Sequence, residues 1–231
     1  MTGANLKVSL QRSLREHGLF VRGITRLSDA EIETFEVDRD SAEIALVGNI
    51  GSSYWAQFSQ SPEYSDGVAH PLDRWSRRVA ESVADALSLR AIYPFDGPPF
   101  YPFQQWASRA ESLWQSPLGI MIHPGFGLWH SYRFALLGAD LGAPDNVPAG
   151  ISPCQNCAGQ PCLHTCPVDA FDGDSYDFKR CATYLRDTPP AECNQRGCLA
   201  RIACPVAPEL RYRDEQGRFH LAAFVGARHD F

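Results

Sequence analysis

The eight cysteines of the chain carry its clearest chemical signal. They fall into two runs, the first ending in Cys166-Pro167 and the second in Cys204-Pro205. In order, they are Cys154, Cys157, Cys162, Cys166, Cys181, Cys193, Cys198 and Cys204. Closely spaced thiolates of this kind bind metal ions or iron–sulfur clusters, and they favour electron transfer as the chemistry of this segment.

A cubane [4Fe–4S] cluster needs four thiolates around one small volume. When two such clusters are held by paired runs, the cysteine before each proline ligates the cluster of the other run. This logic assigns one cluster to Cys154, Cys157, Cys162 and Cys204, and the other to Cys166, Cys181, Cys193 and Cys198. The first run is longer than the bacterial pattern C-x2-C-x2-C-x3-C-P, and the second departs from it further. The alternative is two structural zinc sites with four thiolates each.

Composition limits the other functions. The chain has 231 residues with 44% apolar and 21% charged residues, which predicts a globule of two units. A formal net charge of −6 gives no basic footprint, so no nucleic-acid partner is expected. No segment is apolar enough for a membrane span or a secretory signal, which predicts a cytoplasmic protein with reduced thiols and no disulfides.

The sequence before the cysteines alternates between helical and strand patterns. The predicted helices lie at 6–14, 71–87 and 106–114, and the predicted strands at 19–24, 42–47, 90–95, 118–123 and 128–137. Pro124-Gly-Phe-Gly127 predicts a hairpin joining the last two strands. Arg74, Arg77 and Arg78 are expected to form a solvated face of the long helix.

Residues 142–153 are rich in proline and glycine and predict a linker. We therefore divide the chain into an α/β domain at 1–148, a cysteine domain at 149–210 and a tail at 211–231. The tail is expected to dock as a short helix.

The order of these parts resembles the epoxyqueuosine reductases and the corrinoid-dependent reductive dehalogenases. The resemblance rests on CQNCAGQPCLHTCPVDAF, KRCATYL and the second Cys-Pro, and more loosely on FDGPP, LGIMIH and LWHSYRFALL. It implies an α+β fold in which a nitroreductase-like α/β domain precedes a small bacterial-ferredoxin-like module with two [4Fe–4S] clusters. The sequence ends after this module, without the helical repeats that follow it in the tRNA-modifying members.

The resemblance also implies a catalytic residue and a cofactor. Asp96 falls where the tRNA-modifying reductases carry an acid that donates a proton to the substrate, and cobalamin is a candidate cofactor of the first domain. The structural alternative is that Asp96 only organises the turn before Gly97-Pro98. Corrinoid proteins that bind cobalamin through a histidine ligand carry an Asp-x-His-x-x-Gly motif, and this motif is not present in the sequence.

Three histidines and three tryptophans are further candidates, each with a structural alternative. His164 either tunes a cluster or faces solvent, and His123 and His130 either face a cofactor pocket or have structural roles. Trp106, Trp114 and Trp129 are expected in the core, although a large flat cofactor would need such walls.

These observations predict an iron–sulfur oxidoreductase that passes single electrons through two clusters to a site in the N-terminal domain. The acceptor would be a small molecule or a corrinoid, and the donor a ferredoxin or a flavodoxin. The alternatives are a non-enzymatic electron carrier and a protein that reduces or traffics cobalamin. An enzyme requires a deep pocket behind FDGPPFYPF, whereas a carrier requires only an exposed patch near a cluster.

Overall fold

The computed structural model describes residues 3–142, 147 and 150–227 and has a mixed α/β architecture. The chain forms two compact units, of which the first comprises Met1–Ser112 and His130–Ala149. The second comprises Leu113–Trp129 and Gly150–Phe231. The cysteine-bearing unit therefore includes a segment from before the predicted boundary at residue 148. Half of the predicted linker, residues 143–146 and 148–149, lies outside the described residues.

The first unit is built around an antiparallel sheet of four strands in the order β1-β2-β6-β3. The strands are β1 (Phe20–Arg26), β2 (Glu43–Ile50), β3 (Arg90–Ile92) and β6 (His130–Gly138). The helices are α1 (Gly3–Arg15), α2 (Asp29–Thr34), α3 (Trp55–Ser59), α4 (Pro62–Ser65), α5 (Pro71–Leu87) and α6 (Phe103–Ala110). The predicted helix at 71–87 and the predicted strands at 19–24 and 42–47 are confirmed.

Helix α5 shows why the apolar periodicity was informative. Leu72, Trp75, Val79 and Val83 recur at helical spacing and are all buried. Its three arginines are a third to a half exposed, which agrees with the solvated face that the sequence suggested, and each also pairs with a carboxylate outside the helix. The pairs are Arg74 with Asp66, Arg77 with Asp96 and Arg78 with Glu63.

The predicted hairpin between the strands at 118–123 and 128–137 is wrong. Strand β5 (Met121–Ile122) pairs with β4 (Trp114–Gln115), whereas β6 pairs with β2 and β3 of the other sheet. Only one isolated bridge, between His123 and Gly127, closes the predicted turn. Because Trp114 belongs to β4, helix α6 also ends earlier than predicted.

The second unit combines the small β4–β5 sheet with short helices that carry the cysteines. These helices are α7 (Pro161–His164), α8 (Phe178–Asp187), α9 (Glu192–Arg196), α10 (Leu199–Ile202) and α11 (Asp214–Gly226). Helix α11 packs on α9 and α8. A Cβ at Gly217 would lie 2.3 Å from the carbonyl oxygen of Arg196, which explains the glycine at this close approach.

Within the part of the chain that the structure describes, no helix has the length and apolar character needed to cross a membrane.

Candidate iron–sulfur site

Four thiols from both runs line the first cavity of the second unit. They belong to Cys154, Cys157, Cys162 and Cys204. The cavity contains about 360 Å³ of space free of protein atoms, open solvent included. Four thiols around one cavity are the donor set that a [4Fe–4S] cluster requires.

The other four thiols line a second cavity in the same unit. They belong to Cys166, Cys181, Cys193 and Cys198, and the free space is about 420 Å³, again including open solvent. The two cysteines that precede proline, Cys166 and Cys204, thus each face the cavity lined by the other run. The structure groups the eight thiols into the same two sets as the sequence logic.

One apolar cluster supports both cavities. Its buried members include Leu118, Ile122, Phe171 and Ala200, and cysteines of both sets pack against it. A closely packed apolar support covers one side of each cavity. The two cavities therefore share a rigid apolar wall.

The segment Leu113–Trp129 forms part of the first cavity, a contribution that the sequence analysis missed. Leu118, Ile122 and Leu128 line the cavity together with the thiols. Gly127 explains part of this arrangement, because it has φ +57° and a Cβ there would lie 2.3 Å from the carbonyl oxygen of Val206. The chain just after Cys204-Pro205 can approach this closely only because residue 127 has no side chain.

Burial controls the protonation of several of these thiols. It raises the pKa of Cys154, Cys162, Cys193 and Cys204, and it raises the pKa of Cys198 to about 11. Neighbouring thiols of the same set raise the values further, as Cys204 does for Cys162. In the chain without a bound group these thiols hold their protons, so binding of a cluster must release them.

The thiols surround their cavities and do not converge on one point. No group of three or more His, Cys, Asp or Glu side chains among residues 3–142, 147 and 150–227 is arranged to hold a single metal ion. A tetrahedral zinc site would bring four sulfurs to about 2.3 Å from one centre.

Arg201 lies beside the second set of thiols. Its guanidinium donates hydrogen bonds from Nε and Nη2 to the carbonyl oxygen of Leu128. It also lies over the rings of Trp129 and Tyr212, at 5.0 and 4.4 Å from their centroids. Burial is the main influence on the pKa of Cys198, while the backbone N–H and the charge of Arg201 act against that rise. Arg201 therefore places a fixed positive charge near this cavity.

Asp96 lies in the first unit on the loop after β3. Its Oδ1 accepts a hydrogen bond of 2.5 Å from Arg77, whose guanidinium also stacks 4.0 Å from the centroid of the Tyr93 ring. A guanidinium only donates hydrogen bonds, so this oxygen acts as an acceptor here. The side chain is about 42% exposed and is thus accessible to a bound molecule.

The loop that follows Asp96 lies at the surface. Residues 97–100 are exposed, and Phe100 is 64% exposed. The nearby rings pair with one another: Tyr93 stacks on Phe95 with centroids 5.3 Å apart, and Tyr101 lies 4.7 Å from Phe35. In the described part of this loop, the aromatic rings thus supply packing partners for each other and not the walls of a deep pocket.

The three candidate histidines lie in different environments. Nδ1 of His123 accepts hydrogen bonds from the backbone N–H groups of Gly125 and Phe126, which fixes the turn. His164 is exposed, as its structural alternative predicted. His130 is buried, with its ring 6.1 Å from that of Tyr132.

The tryptophans divide into two groups. Trp106 and Trp129 are buried, as expected for core residues, and Nε1 of Trp106 donates to Glu31. Trp114 is only partly buried and lines a larger cavity of the second unit.

The fold and these cavities define a mixed α/β protein of two units, the second of which carries two sets of four thiols. No model of a known protein family matches the sequence, and no curated protein is detectably similar to it. Solved structures of epoxyqueuosine reductases do share the fold. One, determined with an epoxyqueuosine-modified tRNA stem loop, has a TM-score of 0.51 and 16% identity over 94% of this chain and 71% of its own.

Two further structures extend this similarity. The selenomethionine-labelled epoxyqueuosine reductase has a TM-score of 0.55 and 16% identity, covering 94% of this chain and 69% of its own. The enzyme from Bacillus subtilis, with its catalytic loop swung out of the active site, has a TM-score of 0.51 and 15% identity, covering 89% and 66%. At these identities the similarity establishes the fold alone.

Proposed function

We propose that this protein is an iron–sulfur reductase that passes single electrons through two [4Fe–4S] clusters to an acceptor site in its first unit. The described loop at residues 97–100 does not form the deep pocket expected behind FDGPPFYPF, so this site requires the loop to open. The observation that carries the proposal is the grouping of eight thiols into two sets of four, each around its own cavity. Cubane clusters require such sets, and the exchange of Cys166 and Cys204 between the runs is typical of two-cluster ferredoxin modules. The second unit is then a ferredoxin-like module, and the first is nitroreductase-like.

The doubled Cys-Pro pattern favours clusters over zinc. A zinc ion needs sulfur atoms around a single point, whereas a cubane occupies a volume between them. The shared apolar wall also suits electron transfer, because it brings both sets of thiols against the same buried residues. The fold similarity to epoxyqueuosine reductases agrees with a reductase function.

The residues of this chain have separable roles in the proposed reaction. The clusters supply one-electron chemistry, and the eight thiolates hold them. Arg201 keeps a positive charge near the second cluster, which favours its reduced form. Asp96 supplies the proton that the acceptor takes up, for which its contact with Arg77 must open so that the carboxyl group can reach the acceptor.

Cobalamin as the acceptor remains a hypothesis from the sequence resemblance. A corrinoid needs a large cavity with apolar walls. The loop at residues 97–100 is exposed, and the rings around it are already stacked. These residues do not fit a corrinoid in the present conformation, so no step is assigned to one.

Electron delivery tests the proposed function. The full chain with its clusters would be reduced with dithionite, freed of excess reductant and mixed with hydroxocobalamin or a small-molecule acceptor while the cluster absorbance is recorded. Reoxidation with saturable acceptor dependence supports a reductase. Reoxidation by a protein partner only would favour the electron carrier, and retention of cobalamin without turnover would favour the trafficking alternative.

A modified RNA is the second candidate substrate. One structural neighbour was determined with an epoxyqueuosine-modified tRNA stem loop. The net charge of −6 argues against a nucleic-acid partner, and three arginines of α5 are paired with carboxylates. The binding of a modified and an unmodified stem loop to the cluster-loaded protein would be measured. Tighter binding of the modified stem loop supports an RNA substrate, whereas no binding of either supports the expectation from the net charge.

A further inference from the structure

A further cavity of the second unit lies beside the thiols and shares part of its lining with both thiol cavities. It holds about 610 Å³ of space that a water-sized sphere can enter, within the range of small-molecule sites, whereas the first thiol cavity holds about 20 Å³ on the same measure. Cys154, Ser116, Pro117 and Gln160 line both this cavity and the first thiol cavity. A molecule bound here would therefore contact a wall of the first cluster site.

One wall of the cavity is held in place by a dense set of hydrogen bonds. The carboxylate of Asp172 accepts from the backbone N–H groups of Asp174 and Ser175 and from the Ser175 hydroxyl, at 2.6 to 2.9 Å. Beside this turn the rings of Phe171 and Tyr176 stack with centroids 4.5 Å apart. Tyr176, which also lines the second thiol cavity, is thus held in this wall by stacking on Phe171.

A second wall comes from the β4–β5 segment. The backbone of Ser116 is fixed by hydrogen bonds with Ile120 and Gly119, and its side chain is buried. Trp114, which precedes it on β4, adds a second aromatic ring to the lining. This wall is continuous with the Leu118 and Ile122 side chains of the first thiol cavity.

The chemistry of the lining selects a class of ligand. The aromatic rings of Trp114 and Tyr176 favour a planar ring system. Amides of Gln115, Gln155 and Gln160 both donate and accept hydrogen bonds. Asp174 is acidic, and no lysine or arginine is found among the described residues of the lining, so an anionic ligand is disfavoured.

We propose that this cavity binds an uncharged, planar heteroaromatic molecule of the isoalloxazine class against the first cluster. The ligand class rests on the proposed function, because a ring that accepts single electrons suits a site beside a cluster. In the transfer step, the reduced cluster loses one electron, and the ring gains that electron together with one proton from water. The cavity thereby gives the electrons a destination within the second unit, in addition to the site in the first.

Riboflavin is the probe for this proposal. Its fluorescence would be titrated anaerobically with the full, cluster-loaded chain. We expect saturable quenching, with affinity reduced about tenfold in Trp114→Leu and several-fold in Gln155→Ala. Phe100→Leu and Gln105→Ala change exposed residues of the first unit and serve as matched controls that leave the affinity unchanged.

A charge substitution provides a second measurement that does not alter the aromatic walls. Asp174 is exposed, so Asp174→Asn preserves the fold, and it removes the carboxylate from the lining. The affinity for flavin mononucleotide, which carries a phosphate, is expected to rise several-fold relative to that for riboflavin.

The iron content of each variant is measured in parallel. Iron content tests the clusters of the proposed function, and riboflavin binding tests this inference, so a failure of one can be distinguished from a failure of the other. A chain with about eight irons that does not bind riboflavin at about 100 μM would overturn the inference and leave the clusters standing. Binding that is equal in Trp114→Leu and the wild type would also overturn it, because the ligand would then lie elsewhere.

Discussion

Cys162 and Cys204 line the same cavity, although they come from different cysteine runs, while Cys166 lines the other cavity. Cys162 lies within α7, whereas Cys166 follows the end of this helix. Cys204 is brought to the first cavity by the chain that packs against Gly127. Cys162 and Cys166, which are close in sequence, thus line different cavities, whereas Cys162 and Cys204, which are far apart in sequence, line the same one.

Serine substitutions test this exchange of ligands. Cys162→Ser and Cys166→Ser change neighbouring cysteines of one run, yet each is expected to remove a different cluster, lowering iron from about eight to about four per chain. Electron paramagnetic resonance of the reduced protein would show the loss of different signals.

The matched double variants make the test sharper. Cys162→Ser combined with Cys204→Ser should lose no more iron than either alone, because both serve one cluster. Cys162→Ser combined with Cys166→Ser should lose nearly all of it. Equal iron content in the two double variants would contradict the assignment.

Arg201 is expected to set the reduction potential of the second cluster. Arg201→Gln removes the positive charge near Cys198 and should lower that potential by on the order of 50 mV. A redox titration followed by electron paramagnetic resonance measures both clusters separately.

Arg201→Lys is the control for this substitution, because it keeps the charge but loses the two-pronged contact with the Leu128 carbonyl oxygen. Its potential should stay closer to that of the wild type. A larger shift in Arg201→Lys than in Arg201→Gln would show that packing against Trp129 and Tyr212 matters more than charge.

Asp96→Asn tests the proton donor. With the acceptor that reoxidises the reduced protein in the electron-delivery assay, we expect a rate loss of about 100-fold with unchanged iron content. Asp66→Asn is the matched control, since Asp66 also pairs with an arginine of α5. Equal activity of the two variants would leave Asp96 with the structural role of organising its turn.

The ion pair of Glu63 with Arg78 makes the stability of the protein depend on pH. Hydrogen bonds from Arg78 lower the pKa of Glu63 to about 2, and the Glu63 side chain is only 11% exposed. Because the folded pKa is below the unfolded value, the pair stabilises the protein above about pH 4.5, and this contribution is lost as pH falls towards 2.

Glu63→Gln should therefore reduce the free energy of unfolding by about 1 kcal/mol at pH 7, since Arg78 is half exposed and the pair is partly screened. In urea unfolding, the difference from the wild type should shrink between pH 4.5 and pH 2. Asp29→Asn, at an exposed pair with Arg39, should have almost no effect. A difference that is constant with pH would contradict the role of this ion pair.

The helices and strands that could be predicted from the sequence are those whose apolar residues follow a local spacing. The apolar spacing of α5 and the continuous apolar run of β2 were sufficient because burial of these faces dominates their energetics. The cysteines that line each cavity are those that cluster chemistry combines, while their role as cluster ligands stays a prediction.

The remaining features depend on long-range pairing. Nothing in residues 118–137 indicates that β5 pairs back to β4 while β6 joins another sheet. The contribution of Leu113–Trp129 to the first cavity arises from the close approach of Gly127 to Val206, and a single glycine is a weak sequence signal. Similarly, the carboxylate partners of Arg77 and Arg78 lie on separate segments and could not be inferred from helix periodicity.

The measurement that tests the central claim most directly is the iron, acid-labile sulfide and zinc content of the anaerobically purified full chain. Two cubane clusters predict about eight irons and eight sulfides per chain, with a visible absorbance that bleaches on reduction. Two zinc ions per chain with no sulfide would contradict the account, because the two thiol-lined cavities would then be structural sites that carry no electrons.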